Sequence, residues 1–377
     1  LAVLLVSALA PQRASTVFTT VTTLCAALTS FVVALGLWSD VKADGPSSSI
    51  ASAFGVDGFS IFFTVLILIG LATTALLSHG YLDREEMDPP EFHVLLLCSA
   101  AGAIVMASAN DLIVMFLGLE ALSIGIYVMI AMHHRRSEAR ESAIKYFVLG
   151  AFSSAFLLYG IALTYGATGS TNLVHIRSYL DAVVFQDQHL LMAAMALLLV
   201  GLSFKVAAAP FHFWAPDVYQ GAPSPVTGWM ASIAKAAGFA ALLRIFFAAF
   251  ASHDVDWAPI VGALAVITLV IGSVMAILQT DIKRMLAFSS VSHAGYVLVA
   301  VHSASATGTS AALFYLFTYT LMVLGSFAIV GAMGPDDEHP LSRYTGLGRS
   351  RPVIAIGFTV LLLAQAGIPT TSGFIAK

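Results

Sequence analysis

Long apolar runs dominate this chain and leave a bundle of membrane-spanning helices as the fold open to it. About eleven runs are long enough to cross the ~30 Å hydrocarbon core of a bilayer at 1.5 Å per residue. They cover approximately residues 16–38, 59–79, 92–109, 112–132, 141–166, 188–213, 225–250, 257–278, 285–302, 308–333 and 352–377. With 59% of residues hydrophobic and 10% charged, the composition excludes a soluble domain. We predict an all-α, polytopic transmembrane protein.

The basic residues indicate how the bundle is oriented. Lysine and arginine are concentrated in alternate loops, and the side that carries them is expected to be cytoplasmic. That side has Arg13, Arg84, Arg135, Arg136, Arg140, Lys145, Lys283, Arg284, Arg343, Arg349 and Arg351, against Lys42, Arg177 and Arg244 on the other side. Because Leu1–Ala10 and the C-terminal run are both apolar, we expect further helices beyond each end of the chain.

Two of the apolar runs are interrupted by proline. One interruption follows Lys205 and reaches Pro210, and the other includes Gly367 and Pro369 and precedes Lys377. A helix broken inside a membrane leaves backbone groups that need polar neighbours or water. Paired broken helices are typical of transporters built from internal repeats, although each break alone could be a simple packing kink. We therefore predict discontinuous helices near Pro210 and Pro369.

Four ionisable side chains fall inside apolar runs, where a charge costs roughly 3 kcal/mol on insertion scales. They are Glu120, Lys205, Lys235 and Lys377. Glu120 and Lys235 are both expected about 13–15 Å into their helices, near the midplane. A single buried Lys–Glu pair could be structural, but four such charges on separate helices favour proton transfer. Small residues around Lys235, such as Gly238, would let another helix approach closely.

Four segments resemble the antiporter-like subunits of proton-pumping NADH:quinone oxidoreductase, which is respiratory complex I. They are Asp111–Ser123, Phe204–Pro223, Gln279–Ser290 and Gly367–Lys377. Within that family, residues 215–223 are more similar to subunit N than to subunits M or L, and a lysine at Lys377 argues against M. The resemblance covers nearly the whole chain.

The resemblance assigns roles to particular residues. It matches Glu120 to the glutamate of the fifth helix, Lys205 and Lys235 to the lysines of the seventh and eighth, and Lys377 to that of the broken twelfth. His293, in a run of hydroxyl residues, is similar to the polar element of the tenth helix. His212 lies beside the Pro210 break and is either a further proton relay or an interfacial anchor.

The resemblance also implies an architecture and a function. It implies two inverted five-helix repeats, with N-terminal helices in 1–91, the first repeat in 92–250, and the second in 251–377, truncated at its C-terminal end. This subunit would translocate protons, coupled to quinone reduction elsewhere, and would bind no cofactor or metal itself. NADH, FMN, iron–sulfur clusters and quinone are expected in partner subunits, with subunits M, K and J as neighbours in a bacterial cell membrane. No nucleic acid is expected as a partner.

Several features of the sequence bear on other classes of protein. The main alternative is the membrane subunit of a multisubunit sodium/proton antiporter, and another is an inert helical scaffold. Cys25 and Cys98 alone exclude a cysteine-ligated iron–sulfur cluster. Haem ligation by His79 and His93 is disfavoured because the charged, proline-containing segment between them cannot lie within one spanning helix. The sequence contains no Walker-type glycine loop, which argues against ATP-driven pumping.

Overall fold

The fold is a bundle of long apolar helices. The computed structural model describes residues 2–10, 15–133, 136–182, 188–334 and 339–377. Its helices are α1 (Ala2–Leu9), α2 (Thr16–Asp44), α3 (Gly58–Arg84), α4 (Pro89–Ser108), α5 (Leu112–Ala131), α6 (Ser137–Thr168), α7 (Leu173–Ala182), α8 (His189–Val206), α9 (Trp214–Gly221), α10 (Ser224–Trp229), α11 (Lys235–Arg244), α12 (Asp254–Ile277), α13 (Ile282–His302), α14 (Ala306–Ala332), α15 (Leu347–Ser350), α16 (Pro352–Ala366) and α17 (Ser372–Ala376). A short antiparallel hairpin, β1 (Ser47–Ser49) and β2 (Phe54–Val56), joins α2 to α3.

The predicted helical membrane fold is confirmed. Within the described ranges, ten helices are long and apolar enough to cross a membrane. Each of the first ten runs predicted from the sequence corresponds to one of them. The eleventh run is instead split into the shorter helix α16 and the single turn α17.

Polar residues at the loop ends define where several helices begin. Asp57 forms a capping box at the start of α3, and Asp111 accepts two backbone hydrogen bonds at the start of α5. Asp281 and Ser305 cap α13 and α14 in the same way. These side chains satisfy amide groups that a helix leaves unpaired, and so fix where each helix begins.

The segment Ser224–Ala249 is the central helix of the bundle. It consists of α10, a π-helical turn at Met230–Ala234, α11 and a second π-helical turn at Ile245–Ala249. In its most apolar stretch, 89% of the residues are buried, a larger share than in any other described membrane span. Helices α3, α4, α8 and α14 pack around it. Residues on this helix therefore face protein on every side rather than lipid.

Both predicted breaks are present. Helix α8 ends at Val206, and the chain turns through the left-handed residue Ala207 before α9 starts. Helix α16 ends at Ala366 and turns through the left-handed Gly367 before α17. The inverted relation between residues 92–250 and 251–377 stays a prediction.

The basic loop after α5 is less solvated than such loops usually are. His133 is buried, and its Nε2 atom lies 3.7 Å from Glu85 Oε2. Arg136 lies 4.0 Å from Glu138. Two arginines used to predict the orientation, Arg13 and Arg135, lie outside the described residues, as does His134 of the same basic loop as Arg135.

Candidate functional site

Glu120 and Lys205 belong to one polar cluster, which two serines complete. The Lys205 ammonium group donates a hydrogen bond to Ser123 Oγ at 2.8 Å. Ser154 Oγ donates to Glu120 Oε1. Ser123 lies one helical turn after Glu120 on α5, so both side chains project from the same face. Among the ion pairs of the described residues, none joins Glu120 directly to Lys205, and Ser123 is the polar group next to the ammonium.

A small cavity adjoins this cluster. It offers about 10 Å³ to the centre of a water molecule, roughly what one water requires. Its lining comprises Leu119, Ser123, Tyr127, Tyr146, Gly150, Ser153, Ser154, Leu157, Gly201, Phe204 and Lys205. The wall is therefore part hydroxyl and part aromatic, and the cavity can hold one bridging water.

Backbone groups at the α8 break find partners in neighbouring elements. The Ala209 amide donates to Thr268 Oγ1 at 2.9 Å, and the Trp214 indole donates to the Phe204 carbonyl at 3.1 Å. Trp214 also stacks on Tyr146, with ring centroids 4.6 Å apart. These contacts hold the break in a fixed shape inside the bundle, as a broken helix at membrane depth requires.

Lys235 lies at the start of α11, directly after the first π-helical turn of the central helix. Its ammonium group donates to the Ser290 carbonyl at 2.6 Å and also to Ser290 Oγ. Tyr319 OH donates to the same Ser290 Oγ at 2.8 Å. A π-helical turn shifts the residues after it around the helix axis and is frequent at functional sites. Here it directs a buried lysine towards hydroxyl groups of α13 and α14.

The polar contacts continue from Ser290 towards Lys377. His293 lies one turn after Ser290 on α13, and its Nδ1 atom lies 2.6 Å from Tyr315 OH. The His293 ring also packs against Tyr319, with centroids 4.9 Å apart. Tyr315 stacks on Tyr296 at 6.0 Å, and the Lys377 ammonium lies 4.7 Å from the centre of the Tyr296 ring.

Lys377 interacts mainly with backbone atoms of the second break. Its ammonium group donates to the Gln365 carbonyl at 2.8 Å and to the Ala366 carbonyl at 3.2 Å. The Gln365 side chain donates to Ser326 Oγ at 2.8 Å. Lys377 therefore compensates carbonyl groups at the end of α16, and Gln365 ties that end to α14.

The two clusters meet where α8 passes the central helix. A Cβ atom built on Gly238 would lie 3.2 Å from Lys205 Cγ and 3.0 Å from Val206 Cγ1, so this glycine lets α8 approach closely. The prediction that small residues around Lys235 admit another helix is thus confirmed at Gly238. Lys205 is directed towards α5 and Lys235 towards α13.

His212 is the predicted site residue that joins neither cluster. It lies half-buried between α8 and α9, with its ring 6.3 Å from that of Phe288. Its Nδ1 atom is buried and has no hydrogen-bond partner among the described residues. Within those residues, no hydrogen bond links His212 to Lys205 or Lys235.

Several polar neighbours were not identified as site residues from the sequence. Their hydroxyl groups, aromatic rings or backbone carbonyls lie along the series of contacts that includes the charged residues: Ser123, Ser154, Tyr296, Tyr315, Tyr319 and Gln365. One signal was available, because Tyr315 and Tyr319 are four residues apart and share one face of an otherwise apolar helix. The serines carried no comparable signal. In the described segments, no group of three or more His, Cys, Asp or Glu side chains could hold a metal ion.

A charged cluster follows the first break, at the end of the helix bundle that carries the basic loops. Asp217 of α9 accepts from Lys145 of α6 at 2.9 Å and from Arg284 of α13 at 2.7 Å. Burial of Asp217 would raise its pKa, but the hydrogen bonds and positive charges of these two residues outweigh it, so the pKa lies below its usual value. Asp217 thus links α6 to α13 through α9.

Comparison with known proteins identifies the family. The family model described as NADH:quinone oxidoreductase/Mrp antiporter, TM matches residues 109–377. The chain is 44% identical over 332 residues to "NADH-quinone oxidoreductase subunit N" of Trichlorobacter lovleyi, covering 88% of this chain and 68% of that protein. It is 47% identical over 302 residues to the protein of the same name from Mycobacterium bovis, covering 78% and 56%.

Solved structures agree with this assignment. A chain of "Respiratory complex I from Thermus thermophilus with bound Aureothin" is 36% identical, with a TM-score of 0.83, and the match covers 100% of this chain and 78% of that one. A chain of the "Mrp complex from Dietzia sp. DQ12-45-1b" also has a TM-score of 0.83, covers 99% and 71%, but is 23% identical, so that likeness concerns the fold alone. These findings favour the subunit N interpretation over a sodium/proton antiporter. The chain therefore belongs to the NADH:quinone oxidoreductase/Mrp antiporter family and, within it, to the subunit N proteins of NADH-quinone oxidoreductase.

Proposed function

We propose that this chain moves protons across the membrane along the buried axis formed by Glu120, Lys205, Lys235 and Lys377. The observation that carries the proposal is the unbroken set of polar and ring contacts from Lys235 to Lys377. It passes through Ser290, Tyr319, His293, Tyr315 and Tyr296. Burying one ion pair for stability would not require this series of hydroxyl and imidazole groups.

The chemistry follows from the cost of holding a charge in the interior. A buried ammonium group is stable when an opposite charge or a hydrogen-bond acceptor faces it, and it favours release of its proton when that partner moves away. The Lys205 ammonium group donates a hydrogen bond to Ser123, which lies one helical turn after Glu120 on α5. A small rotation of α5 that changes this contact would therefore load or release a proton at Lys205.

The gated step would be the transfer of a proton from Lys205 to Lys235. The two ammonium groups are directed to opposite neighbours, and the Lys205 stem packs on Gly238 between them. A proton can pass only when one side chain swings or a water enters. Such a gate would prevent protons from leaking back along the axis.

Coupling and partners follow from the family. We propose that quinone reduction in partner subunits drives the gate, with NADH, FMN, iron–sulfur clusters and quinone bound there. Subunits M, K and J would be its neighbours in a bacterial cell membrane. We also propose that residues 1–91 form an N-terminal helical unit, and that 92–250 and 251–377 form two inverted repeats. His212 would act as a relay only after its ring turns towards the axis.

The test is NADH-driven proton pumping by the assembled complex in membrane vesicles. Lys205→Ala should abolish pumping and lower quinone reduction, because the axis loses its first lysine. Lys42→Ala, which changes a lysine that stacks on Trp38 away from the axis, is the matched control and should pump normally. Unchanged pumping in Lys205→Ala, with normal assembly, would contradict the proposal. Sodium-dependent transport without quinone reduction would instead support the antiporter alternative.

A further inference from the structure

A second group of titratable side chains lies in the N-terminal helices, apart from the axis described above. Thr20 Oγ1 on α2 lies 3.3 Å from His79 Nδ1 on α3 and 3.4 Å from His93 Nε2 on α4. Thr23 Oγ1, one turn further along α2, lies 3.0 Å from His93 Nδ1. Two histidines whose haem ligation the sequence argued against are thus linked through one threonine hydroxyl.

Helix α2 turns its hydroxyl groups inwards and its aliphatic groups outwards. Thr16, Thr19, Thr20 and Thr23 are all buried and share one face of the helix. Exposed aliphatic residues on the same helix include Val17, Val21 and Leu28. Packing alone would be served equally well by valine at the inward positions, which has nearly the same shape as threonine. The inward face of α2 therefore provides a polar lining for the two histidines.

Burial increases along this lining from the end that carries the basic loops. Asp83, near the end of α3, is exposed and accepts a hydrogen bond from Thr16 Oγ1 at 2.5 Å. His79, one turn deeper, is half-buried, and His93 is 0% exposed. The groups thus lead from the protein surface into the bundle. At this end of α3 and α4, and in the loop that joins them, the charged groups are Asp83, Arg84, Glu85, Glu86, Asp88 and Glu91.

The contacts allow two arrangements of the hydrogen atoms. In one, His79 Nδ1 donates to Thr20, Thr20 donates to His93 Nε2, and His93 Nδ1 donates to Thr23, whose hydroxyl donates to the Thr19 carbonyl. In the other, every donor and acceptor between Thr23 and His79 is reversed. Starting from the first arrangement, a proton taken up at His79 Nε2 lets the Nδ1 hydrogen of His79 pass to Thr20, whose own hydroxyl hydrogen passes to His93 Nε2, because each hydroxyl and each imidazole can both donate and accept. His79 is then neutral again, and His93 carries a hydrogen on both ring nitrogens. No bond other than O–H or N–H forms or breaks.

We propose that Thr20, His79 and His93 form a second proton-binding site, which takes up protons from the side with the basic loops and holds them at the buried His93. The site rests on the proposed function, since it would supply the same axis.

Its inner neighbours lead towards the central helix. Thr74, one turn before Ser78 on α3, is 0% exposed, and its hydroxyl has no hydrogen-bond partner among the described residues. One turn further, a Cβ atom on Gly70 would lie 3.7 Å from Trp229, six residues before Lys235. Along α3, Thr74 thus comes between His79 and the point where this helix contacts the central helix.

The decisive experiment compares two substitutions at Thr20 in the assembled complex, measured as NADH-driven proton pumping in vesicles. Thr20→Val keeps the shape and removes the hydroxyl group, whereas Thr20→Ser keeps the hydroxyl and removes a methyl group. If Thr20 passes protons, Thr20→Val should lower pumping by about tenfold and Thr20→Ser should retain most of it. If Thr20 only packs, Thr20→Ser should be the worse variant, and that result would overturn the proposal.

Two further variants complete the experiment. Thr22→Val changes a threonine of the same helix whose hydroxyl is bonded to the Phe18 carbonyl, outside the cluster, and should pump normally. His93→Gln keeps hydrogen-bonding groups but cannot gain a proton, so it should match Thr20→Val. Normal pumping in both Thr20→Val and His93→Gln refutes the second site. If Lys205→Ala also pumps normally, the proposed function fails with it, and if Lys205→Ala is inactive, only this inference fails.

Discussion

The two broken helices close with the same backbone hydrogen bonds. At the first break, the amides of Ala207 and Ala208 donate to the carbonyls of Phe204 and Ser203, at 3.0 and 2.8 Å. At the second, the amides of Gly367 and Ile368 donate to Ala364 and Leu363, at 3.0 and 3.1 Å. Both are Schellman-type helix ends with one left-handed residue. The backbone thus ends the two helices in the same way.

The side chains at the two breaks differ. Lys205 lies two residues before the left-handed residue of the first break, and the uncharged Gln365 holds that place in the second. The second lysine, Lys377, comes ten residues after Gly367 and donates back to carbonyls at the end of α16. The first lysine is bonded to a side chain of another helix, whereas the second is bonded to the backbone of its own break. A shift between helices can therefore change the environment of Lys205 more readily than that of Lys377.

The largest expected difference between the breaks is the effect on proton pumping of removing a serine hydroxyl next to each of them. Ser123→Ala removes the hydroxyl group that faces the Lys205 ammonium, which leaves a buried donor without that acceptor and costs about 1–3 kcal/mol. Pumping should fall by at least about tenfold. Ser326→Ala is the matched variant, because Ser326 bonds Gln365 and not Lys377. It should retain most of the pumping activity of the assembled complex. Equal losses in the two variants would show that the breaks do not differ in this respect.

The next largest effect concerns the left-handed residues. Gly367 has φ +78°, and a Cβ atom there would lie 2.8 Å from Lys377 Cδ. Gly367→Ala should therefore destabilise the second break by about 1–2 kcal/mol and displace the lysine. Ala207 already has φ +56°, so Ala207→Gly relieves strain there, although the added chain entropy offsets part of the gain.

Heat inactivation of the assembled complex would measure the stability effects of Gly367→Ala and Ala207→Gly. The midpoint should fall for Gly367→Ala and stay close to the wild-type value for Ala207→Gly. Pumping by Gly367→Ala, measured below its inactivation temperature, should also fall because Lys377 is displaced. A midpoint that falls equally in both variants would contradict the reason given for the glycine at the second break.

Most of the fold could be predicted from the sequence, because a bilayer leaves few ways to satisfy a backbone. Apolar length gave the spanning helices, and proline marked both breaks. The run predicted over 188–213 is helical only up to Val206. A helix can end where side chains from elsewhere satisfy its freed groups, as Thr268 and Trp214 do here, and their proximity is a property of the folded bundle.

The candidate site could be predicted only in part. The charged residues were identifiable because a charge in an apolar run is costly, whatever surrounds it. Their partners were not, because a serine or tyrosine is tolerated in a membrane helix whether or not a lysine faces it. Ser154 and Glu120 are 34 residues apart, and His79 and Thr20 are 59 apart, so only helix packing brings them together. The partners of Lys205 on α5 and of Lys235 on α13 are likewise set by helix packing.

The smallest expected effect concerns Asp217, which anchors α9 after the first break. Asp217→Asn removes the charge that Lys145 and Arg284 share, and should cost less than about 1 kcal/mol because the carboxylate side chain is 38% exposed and screened by solvent. Since the folded-state pKa of Asp217 lies below the usual 3.8, its contribution is fully present above that pH and is lost as the pH falls through the lowered value. The heat-inactivation midpoint of Asp217→Asn should therefore lie slightly below that of the wild type from pH 5 to 8, by a constant amount. A difference that already shrinks between pH 7 and pH 5 would mean that Asp217 is not held ionised by these two partners, and the first break would lack the charged anchor that distinguishes it from the second.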